Sequence, residues 1–366
     1  MSDWPFPPPR TPMEARVRDE LPDTGSARGQ APGGWGYEPK WDGFRALSWS
    51  GRPGSAPEAD GDARLDSRNH RPLLRYFPEL RGALEQLPAG CVVDGEVVYV
   101  QGGRTDFDVL SQRIHPAESR IAKLSVETPA QLVAFDLLAI DGEDLRPAPY
   151  RERRERLEAL VGGLERPWHL TPATRDRTVA EQWFTAFDSA GCDGIVAKQL
   201  DEPYVEGKRH MIKVKLRRTI DAVVGGYRMH KLGDRIGSLL LGLYDQAGQL
   251  HFVGHCSGFS DEERVALLDR ITPLRVEDGF GNEARRPGEP SRWANEKTLE
   301  WYAVRPELVC EVSVDQFTGI RFRHASRFER WRPDKEPQDC AMDQIEPPPG
   351  PSFDDLVTTV VEQEGL

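Results

Sequence analysis

The sequence lacks most of the signatures that announce a metal or a classical nucleotide fold. Its five cysteines, Cys91, Cys192, Cys256, Cys310 and Cys340, lie far apart and form no CxxC pair. That spacing argues against both a zinc site and a disulfide framework, and each cysteine is expected to be a small buried side chain. His70, His115, His255 and His324 show no HxxxH or HExxH spacing, so they read as structural polar groups or phosphate contacts. The glycine pairs Gly33-Gly34 and Gly225-Gly226 do not form a GxGxxG or GxxxxGK loop. No apolar run approaches the roughly 20 residues that cross a bilayer. The start, MSDWPFPPPR, has no apolar h-region and does not read as a secretory signal, so a cytoplasmic, nucleoid-associated protein with no membrane partner is expected.

Net positive charge is missing too. The chain carries −12, which sits badly with a nucleic-acid grip built on phosphate contacts. The distribution answers this. Residues 336–366 hold eight Asp or Glu and no Lys or Arg. Lys208 to Arg235 contains nine Lys or Arg against two Asp, and Arg321 to Lys335 contains six against two acids. Such local basic runs are either DNA surfaces or solvated faces.

With 366 residues, 38% of them hydrophobic and 30% charged, the chain is long enough for two soluble domains, each with its own core. Residues 23–36 and 49–64 are rich in Gly, Pro and Ala and read as a loop and a surface insertion. Tyr37–Lys40, Cys91–Val100 and Gln131–Ile140 read as strands, the last ending in an Asp141-Gly142 turn. Tyr150–Leu164 places Leu157, Leu160, Val161 and Leu164 on one helical face, and Val179–Ala190 is a second helix with Gly191 as its C-cap. From Ile220 the pattern changes to five short strands with one helix, at Asp261–Ile271, which suggests a small Greek-key barrel. The expected organisation is an α+β domain over 1–219, a barrel over 220–340 and an acidic tail over 341–366, with a short amphipathic helix at Phe353–Glu362.

One local string stands out: Glu38-Pro39-Lys40-Trp41-Asp42-Gly43-Phe44-Arg45 sets a lysine at a strand end before a turn. A lysine nucleophile must first lose a proton, which its reference pKa of about 10.4 makes rare at neutral pH. Lys213 and Lys215, two apart in MIKVKLRR and hence on one strand face, are candidates to depress it. A like charge about 4 Å away at an effective dielectric of about 20 costs roughly 4 kcal/mol, nearly three pKa units. Asp94-Gly95-Glu96 interrupts an apolar strand, so its carboxylates need a partner or a ligand.

The ordered strings K-x-D-G-x-R, S-R-N, D-G-E, F-D, D-G-I-V-A-K, K-x-K and R-x-D-K, which span nearly the whole chain, resemble the covalent nucleotidyltransferases: DNA ligases, RNA ligases and mRNA capping enzymes. RFRHASRFERWRPDKEP and DFDVLSQRIHP look like the small bacterial two-domain ligases called ligase C, with the ligase module of bacterial end-joining proteins next.

The resemblance implies an adenylation domain of packed antiparallel sheets with helices, followed by an OB-fold barrel. It also implies a lysyl-AMP intermediate formed from ATP with magnesium, or manganese in its place. Lys40 would take the AMP. Glu38 would meet the adenine amino group, Arg45 and Glu96 the ribose, and Phe135 the adenine face. Lys213 and Lys215 would face the α-phosphate, while Arg332 and Lys335 would orient the leaving pyrophosphate. Arg330 would assist them or pair with Glu329 or Asp334. Glu96 and Asp193 would serve the metal. Asp193 stands where the family usually has Glu, and its shorter reach leaves a bridging water as the alternative to direct coordination. Asp94 reads as structural. Arg68 and Asn69 would approach the nick phosphate, and Arg217 and Arg218 add to the DNA surface. Lys198 would contact a backbone phosphate or cap a strand end. Met211 replaces a Trp common in the family, which reads as a packing difference.

The implied substrate is nicked double-stranded DNA, sealed in repair by a monomer, with a repair polymerase or primase or an end-binding protein as partner. RNA ligation or capping on the same scaffold, and a catalytically decayed DNA-end-binding module, remain alternatives at this point.

Overall fold

The computed structural model describes residues 4–23, 33–51, 62–280, 287 and 300–358, the side chains of Thr318 and Thr358 excepted. Most of the expected loop over 23–36 and of the insertion over 49–64 lies outside the described residues. The chain divides into two compact units, residues 1–216 with 348–366, and residues 217–347.

The first unit is built from β1 (Glu14–Arg18), β2 (Trp35–Pro39), β3 (Phe44–Trp49), β4 (Arg64–Ser67), β5 (Val92–Val98), β6 (Gln131–Ile140), β7 (Trp168–Leu170), β8 (Gly194–Gln199) and β9 (Arg209–Lys215), with helices α1 (Tyr150–Val161) and α2 (Arg177–Ala186). One sheet runs β1-β9-β8-β2 and a second runs β7-β6-β5-β3-β4. Pairing is antiparallel except for β1 with β9 and β7 with β6. β6 lies at the heart of the second sheet, and its run of Leu132, Val133, Leu137 and Leu138 is buried on both faces, which is why it reads as apolar throughout instead of alternating.

β1 is absent from the sequence reading. It is an edge strand whose inner residues are only half-buried and whose Val17 faces solvent, so no period-2 pattern marks it. The segment before it is anchored by Trp4 and Phe6, which pack edge-on against Trp49 at 5.2 and 5.7 Å.

α1 ends at Val161, earlier than Leu164, yet buries Leu157, Leu160 and Val161 as its periodicity requires. The same face also buries Tyr150, Arg153 and Arg154. α2 begins earlier and ends earlier than expected. Asp176 caps it by accepting from the Thr178 and Val179 amides, and its C-cap is Phe187; Gly191, with φ +88°, serves the turn beyond.

The second unit holds β10 (Arg218–Met229), β11 (Ile236–Tyr244), β12 (Leu250–Cys256), α3 (Asp261–Ile271), β13 (Val309–Val314) and β14 (Arg327–Trp331). The antiparallel order is β12-β11-β10-β13-β14. A parallel bridge from Cys256 to Ser326, just before β14, brings the two ends of the sheet together, so it curls as an OB-type barrel does. Val223, Leu239, Leu241, Val253 and Val312 fill its interior, and α3 starts with a capping box between Ser260 and Glu263.

The stretch over 341–366, expected as a single acidic tail, divides between the units. Met342 and Ile345 pack on the barrel core. α4 (Phe353–Thr358) belongs to the first unit; the rest of the amphipathic helix expected there lies outside the described residues. Phe353 is fully buried, edge-on to Trp41 at 5.3 Å and to His169 at 5.1 Å. The acidic tail is thus partly an apolar anchor.

His169 lets this anchor be tested. Burial, reinforced by Arg166, pushes its pKa down to about 4. A histidine whose folded pKa is depressed binds its proton more readily in the unfolded chain, so stability falls as pH drops from about 6.5 towards 4. Thermal melts at pH 7 and 4.5 should therefore show a smaller loss for His169→Gln than for the parent chain. Equal losses would mean that His169 does not sense acid in the folded state.

All five cysteines are free and buried. Among the described residues, no helix is long and apolar enough to cross a membrane, and no group of three or more His, Cys, Asp or Glu is placed to hold a metal ion.

Candidate active site

Lys40 follows the last residue of β2, and its backbone is pinned from both sides. Its N–H donates to the Gly194 carbonyl at 2.8 Å, and its carbonyl accepts from the Asp193 N–H at 2.9 Å. Gly194 has φ +152°, and a β-carbon there would run into the Val214 carbonyl oxygen. Gly43 is needed for a different reason than the turn expected from Asp-Gly. A β-carbon at Gly43 would collide with the Val97 carbonyl oxygen and with Glu96, so the glycine lets β3 approach β5 closely.

β2, β3, β5, β8 and β9 surround a cavity of about 650 Å³. Lys40, Glu38, Arg45, Glu96, Phe135, Lys198, Lys213, Arg68 and Asn69 all line it. Residues drawn from six of the seven strings, up to 175 positions apart from Glu38 to Lys213, thus face one space. Glu14, Ala15, Val196, Arg209 and Met211 complete its wall, the first two from β1. Asp193 and Lys215 are not among the lining residues, although Lys215 sits on the same strand as Lys213.

The electrostatics correct the expectation for Lys40. Burial by itself would lower its pKa, but the Asp193 carboxylate, at 2.7 and 2.9 Å from Nζ and helped by Glu96 and Asp42, outweighs burial and raises it. It is Lys213 whose pKa is lowered, by burial first and then by Lys40 and Lys215. The lysine cluster is real in its effect, but the nucleophile candidate is shielded from it by a carboxylate.

Glu96 opens onto the cavity, and burial, partly offset by Lys40 and Arg45, pushes its carboxyl up to about 8. Asp94, two residues earlier on the same face of β5, is fully buried. It needs no external ligand, because Arg45 donates to it through Nε at 3.0 Å and Nη2 at 2.6 Å and Tyr204 through its hydroxyl at 2.6 Å. Two cations lie against the ring of Phe135, Arg45 at 5.4 Å and Lys198 at 4.9 Å from its centroid.

Lys198 is not a surface contact. It is 2% exposed, pairs with Glu38 at 2.9 Å and donates to the Phe135 carbonyl at 2.6 Å, so it cannot reach a DNA phosphate from there. Glu38 is equally buried and is also met by the Tyr150 hydroxyl and, at 3.6 Å, by Arg154. Asp136 is held by Arg153 at 2.8 and 3.1 Å, and its pKa is lowered because the cations outweigh the burial that would raise it. Tyr150, Arg153, Arg154 and Tyr204 were missed from sequence. The signal existed for three of them. At a 3.6-residue period, Tyr150, Arg153 and Arg154 fall on the same face as Leu157 and Val161, and charges on an apolar stripe imply buried partners.

Met211 is 4% exposed and packs in the cluster of Trp49 and Tyr204. Among the histidines, His70 bonds Thr11 at 2.9 Å, His115 accepts from the Ala117 amide, and His324 contacts Asp315 at 3.2 Å.

The remaining candidates lie in the second unit. Arg218 opens β10, with Nη1 at 3.4 Å from the carbonyls of Ile345 and Glu346, and Arg217 directly precedes it. Arg332 and Lys335 both donate to Asp221, Arg332 at 2.9 and 3.0 Å and Lys335 at 3.0 Å. Arg330 pairs with Glu311 at 2.7 Å, rather than with the neighbours expected.

Comparison with known proteins addresses what this cavity belongs to. Residues 24–215 match the family described as ATP dependent DNA ligase domain, and residues 233–335 match the ATP dependent DNA ligase C terminal region. DNA ligase C1 of Mycolicibacterium smegmatis is 46% identical over 94% of this chain and 96% of its own length. DNA ligase C of Mycobacterium tuberculosis is 43% identical over 96% and 98%. A solved structure titled Pmar-Lig_PreS3 shares the fold, with a TM-score of 0.54 and 18% identity over 88% of this chain and 68% of that one. The two matched regions fall one in each compact unit, in the order the ligase family has them, and the relatives align almost end to end; the chain belongs to the ATP-dependent DNA ligases.

Proposed function

We propose that Lys40 is the residue this ligase adenylates, within the cavity between β2, β3, β5, β8 and β9. DNA ligase activity and the use of ATP with a divalent metal come with the family; nicked DNA is the substrate the family binds. The assignment of residues rests chiefly on one observation: the Lys40 amine, the Phe135 ring, Glu38, Arg45, Glu96 and Lys213 share a single cavity.

In the first step the neutral Lys40 amine attacks the α-phosphorus of ATP. The N–P bond forms, the bond to pyrophosphate breaks, and the amine proton leaves to solvent. In the second, a 5′-phosphate oxygen of the nick displaces Lys40 from the AMP phosphorus, and the lysine regains a proton. In the third, the 3′-hydroxyl attacks the 5′-phosphorus and loses its proton to solvent, the bond to AMP breaks, AMP departs and the backbone closes. All three are displacements at phosphorus, where positioning and positive charge matter more than a protein base.

Phe135, backed by Arg45 and Lys198, offers a flat face for adenine, and buried Glu38 offers an acceptor for its amino group. Lys213, its pKa lowered by burial and by its lysine neighbours, would meet the α-phosphate, with Lys215 adding charge behind it. Arg68 and Asn69, in the turn after β4, would take the nick phosphate.

The residues present fit a magnesium held mainly by substrate. Glu96 supplies one carboxylate that lines the cavity, Asp193 a second bonded to the Lys40 amine, and no larger set of ligands surrounds them among the described residues. Held by these carboxylates and by substrate, the cation would supply positive charge to the phosphates.

The test is peptide mapping by mass spectrometry after incubation with ATP and magnesium. An adenylate mass of AMP on the peptide carrying Lys40 is expected, and its presence on a different residue would overturn the assignment. Nick affinity should also be strongly salt-sensitive, falling at least tenfold between about 50 and 200 mM salt, because the DNA contacts are cation–phosphate pairs. Equal affinity at both would remove Arg68, Arg217 and Arg218 from the DNA surface.

The fuller reading is of a monomer serving DNA repair in the cytoplasm, beside a repair polymerase, primase or end-binding protein. Sedimentation of the protein on a nicked duplex, with one copy per nick expected, tests the monomer.

A further inference from the structure

We infer that Asp221 is a positioning residue for pyrophosphate, which gathers Arg332 and Lys335 into one two-cation grip in the second unit. This rests on the reading of Arg332 and Lys335 as the pair that orients the leaving pyrophosphate.

Asp221 is a poor choice for stability alone. It lies on β10 directly opposite Glu311 on β13, and like charges across neighbouring strands repel. It is nevertheless 9% exposed and held firmly at both backbone groups, its N–H donating to Gln344 Oε1 at 3.0 Å and its carbonyl accepting from Gln344 Nε2 at 3.2 Å. A carboxylate kept this rigid in a sheet must serve the groups it meets. Those groups are Arg332, whose Nη1 reaches both of its oxygens at 2.9 and 3.0 Å, and Lys335, whose Nζ reaches Oδ2 at 3.0 Å.

Two ammonium-type cations would drift apart if left to themselves. One buried anion between them holds both at hydrogen-bond distance. Arg332 is oriented further by Asp334, which accepts from Nε at 2.9 Å and Nη2 at 2.8 Å. A guanidinium has five N–H donors, so this arrangement leaves one, on Nη2, for another acceptor. The side chains of Arg332 and Lys335 are 19% and 26% exposed against 12% for Asp221, so the cations sit on the solvent side of the carboxylate. A diphosphate, with adjacent charged oxygens, is the anion such a pair suits.

The experiment uses the full chain and compares Asp221→Asn with Asp221→Glu, Arg332→Ala and Lys335→Ala. Three rates are read: lysine adenylation against ATP concentration, pyrophosphate-driven reversal of the enzyme adenylate, and sealing of a nick supplied already adenylated. Asn keeps the shape but loses the charge. For Asp221→Asn, kcat/KM for adenylation should fall about tenfold to a hundredfold, the size expected for charge-assisted hydrogen bonds, with a matching rise in the pyrophosphate needed for reversal. Asp221→Glu should recover part of both, and sealing of the pre-adenylated nick should stay within about twofold of the parent. An unchanged pyrophosphate dependence in Asp221→Asn would overturn the inference. So would a parallel fall of all three rates with the melting temperature, which would make Asp221 merely a brace of the barrel. If Arg332→Ala and Lys335→Ala adenylate normally, the underlying reading of that pair fails; if they do not but Asp221→Asn does, only the role of Asp221 fails.

Discussion

Lys40→Arg will fold, keep its contact with Asp193 and take up no AMP. A guanidinium stays protonated at any accessible pH, so the variant preserves the positive charge that Asp193 sees while removing the nucleophile. Loss of a covalent nucleophile costs on the order of 10⁴-fold or more, so sealing of ordinary nicks should fall by at least that factor. A nick that already carries AMP on its 5′ end should still be sealed, within about tenfold of the parent, because the last displacement uses no lysine nucleophile. A label from α-labelled ATP that survives denaturation of Lys40→Arg would sink the assignment.

The ion pair with Asp193 adds a further element to that result. Even at an ordinary lysine pKa of about 10.4, making the neutral amine at pH 7 costs about 4.6 kcal/mol, and Asp193 raises that cost. The parent enzyme must meet this cost before the amine can attack.

Lys198→Met should have the largest effect on stability. It leaves the carboxylate of Glu38 buried with only the Tyr150 hydroxyl and a more distant Arg154, and it deletes the bond to the Phe135 carbonyl. Removing one partner of a buried pair costs about 3 to 5 kcal/mol. For a unit of this size that is a fall in melting temperature of roughly 6 to 20 °C. The double variant Lys198→Met with Glu38→Leu should regain much of that stability, since no lone charge remains, yet still bind ATP poorly because the adenine acceptor is gone. If Lys198→Met melts with the parent chain, Lys198 is a solvated group and the buried network is not as described.

Much of the barrel was legible because its strands are short and bounded by turn residues, and α3 was legible because its apolar spacing and Ser260 cap agree. β1 was not, since an edge strand with one exposed face carries no alternation that distinguishes it from a loop. Phe353 hid in an acidic stretch, where composition speaks of solvent while one ring speaks of a core.

The site shows the same division. Seven short strings named the chemistry, because each group that handles phosphate or adenine must be of a particular residue type, and type is visible in the chain. Which charges would meet was not visible. Lys213 and Lys215 were expected to act on Lys40, but Asp193 is brought to it by two backbone hydrogen bonds between β2 and the start of β8. Lys198 was expected to contact a backbone phosphate or cap a strand end, but the pleat turns it inward onto Glu38, and α1 brings Tyr150 and Arg154 to the same carboxylate. The amino-acid order thus determined which groups are available and roughly on which elements they stand. Only the tertiary structure decided the pairing, because a charge in a protein takes its pKa from neighbours within a few ångström, and those neighbours come from strands far apart in the chain.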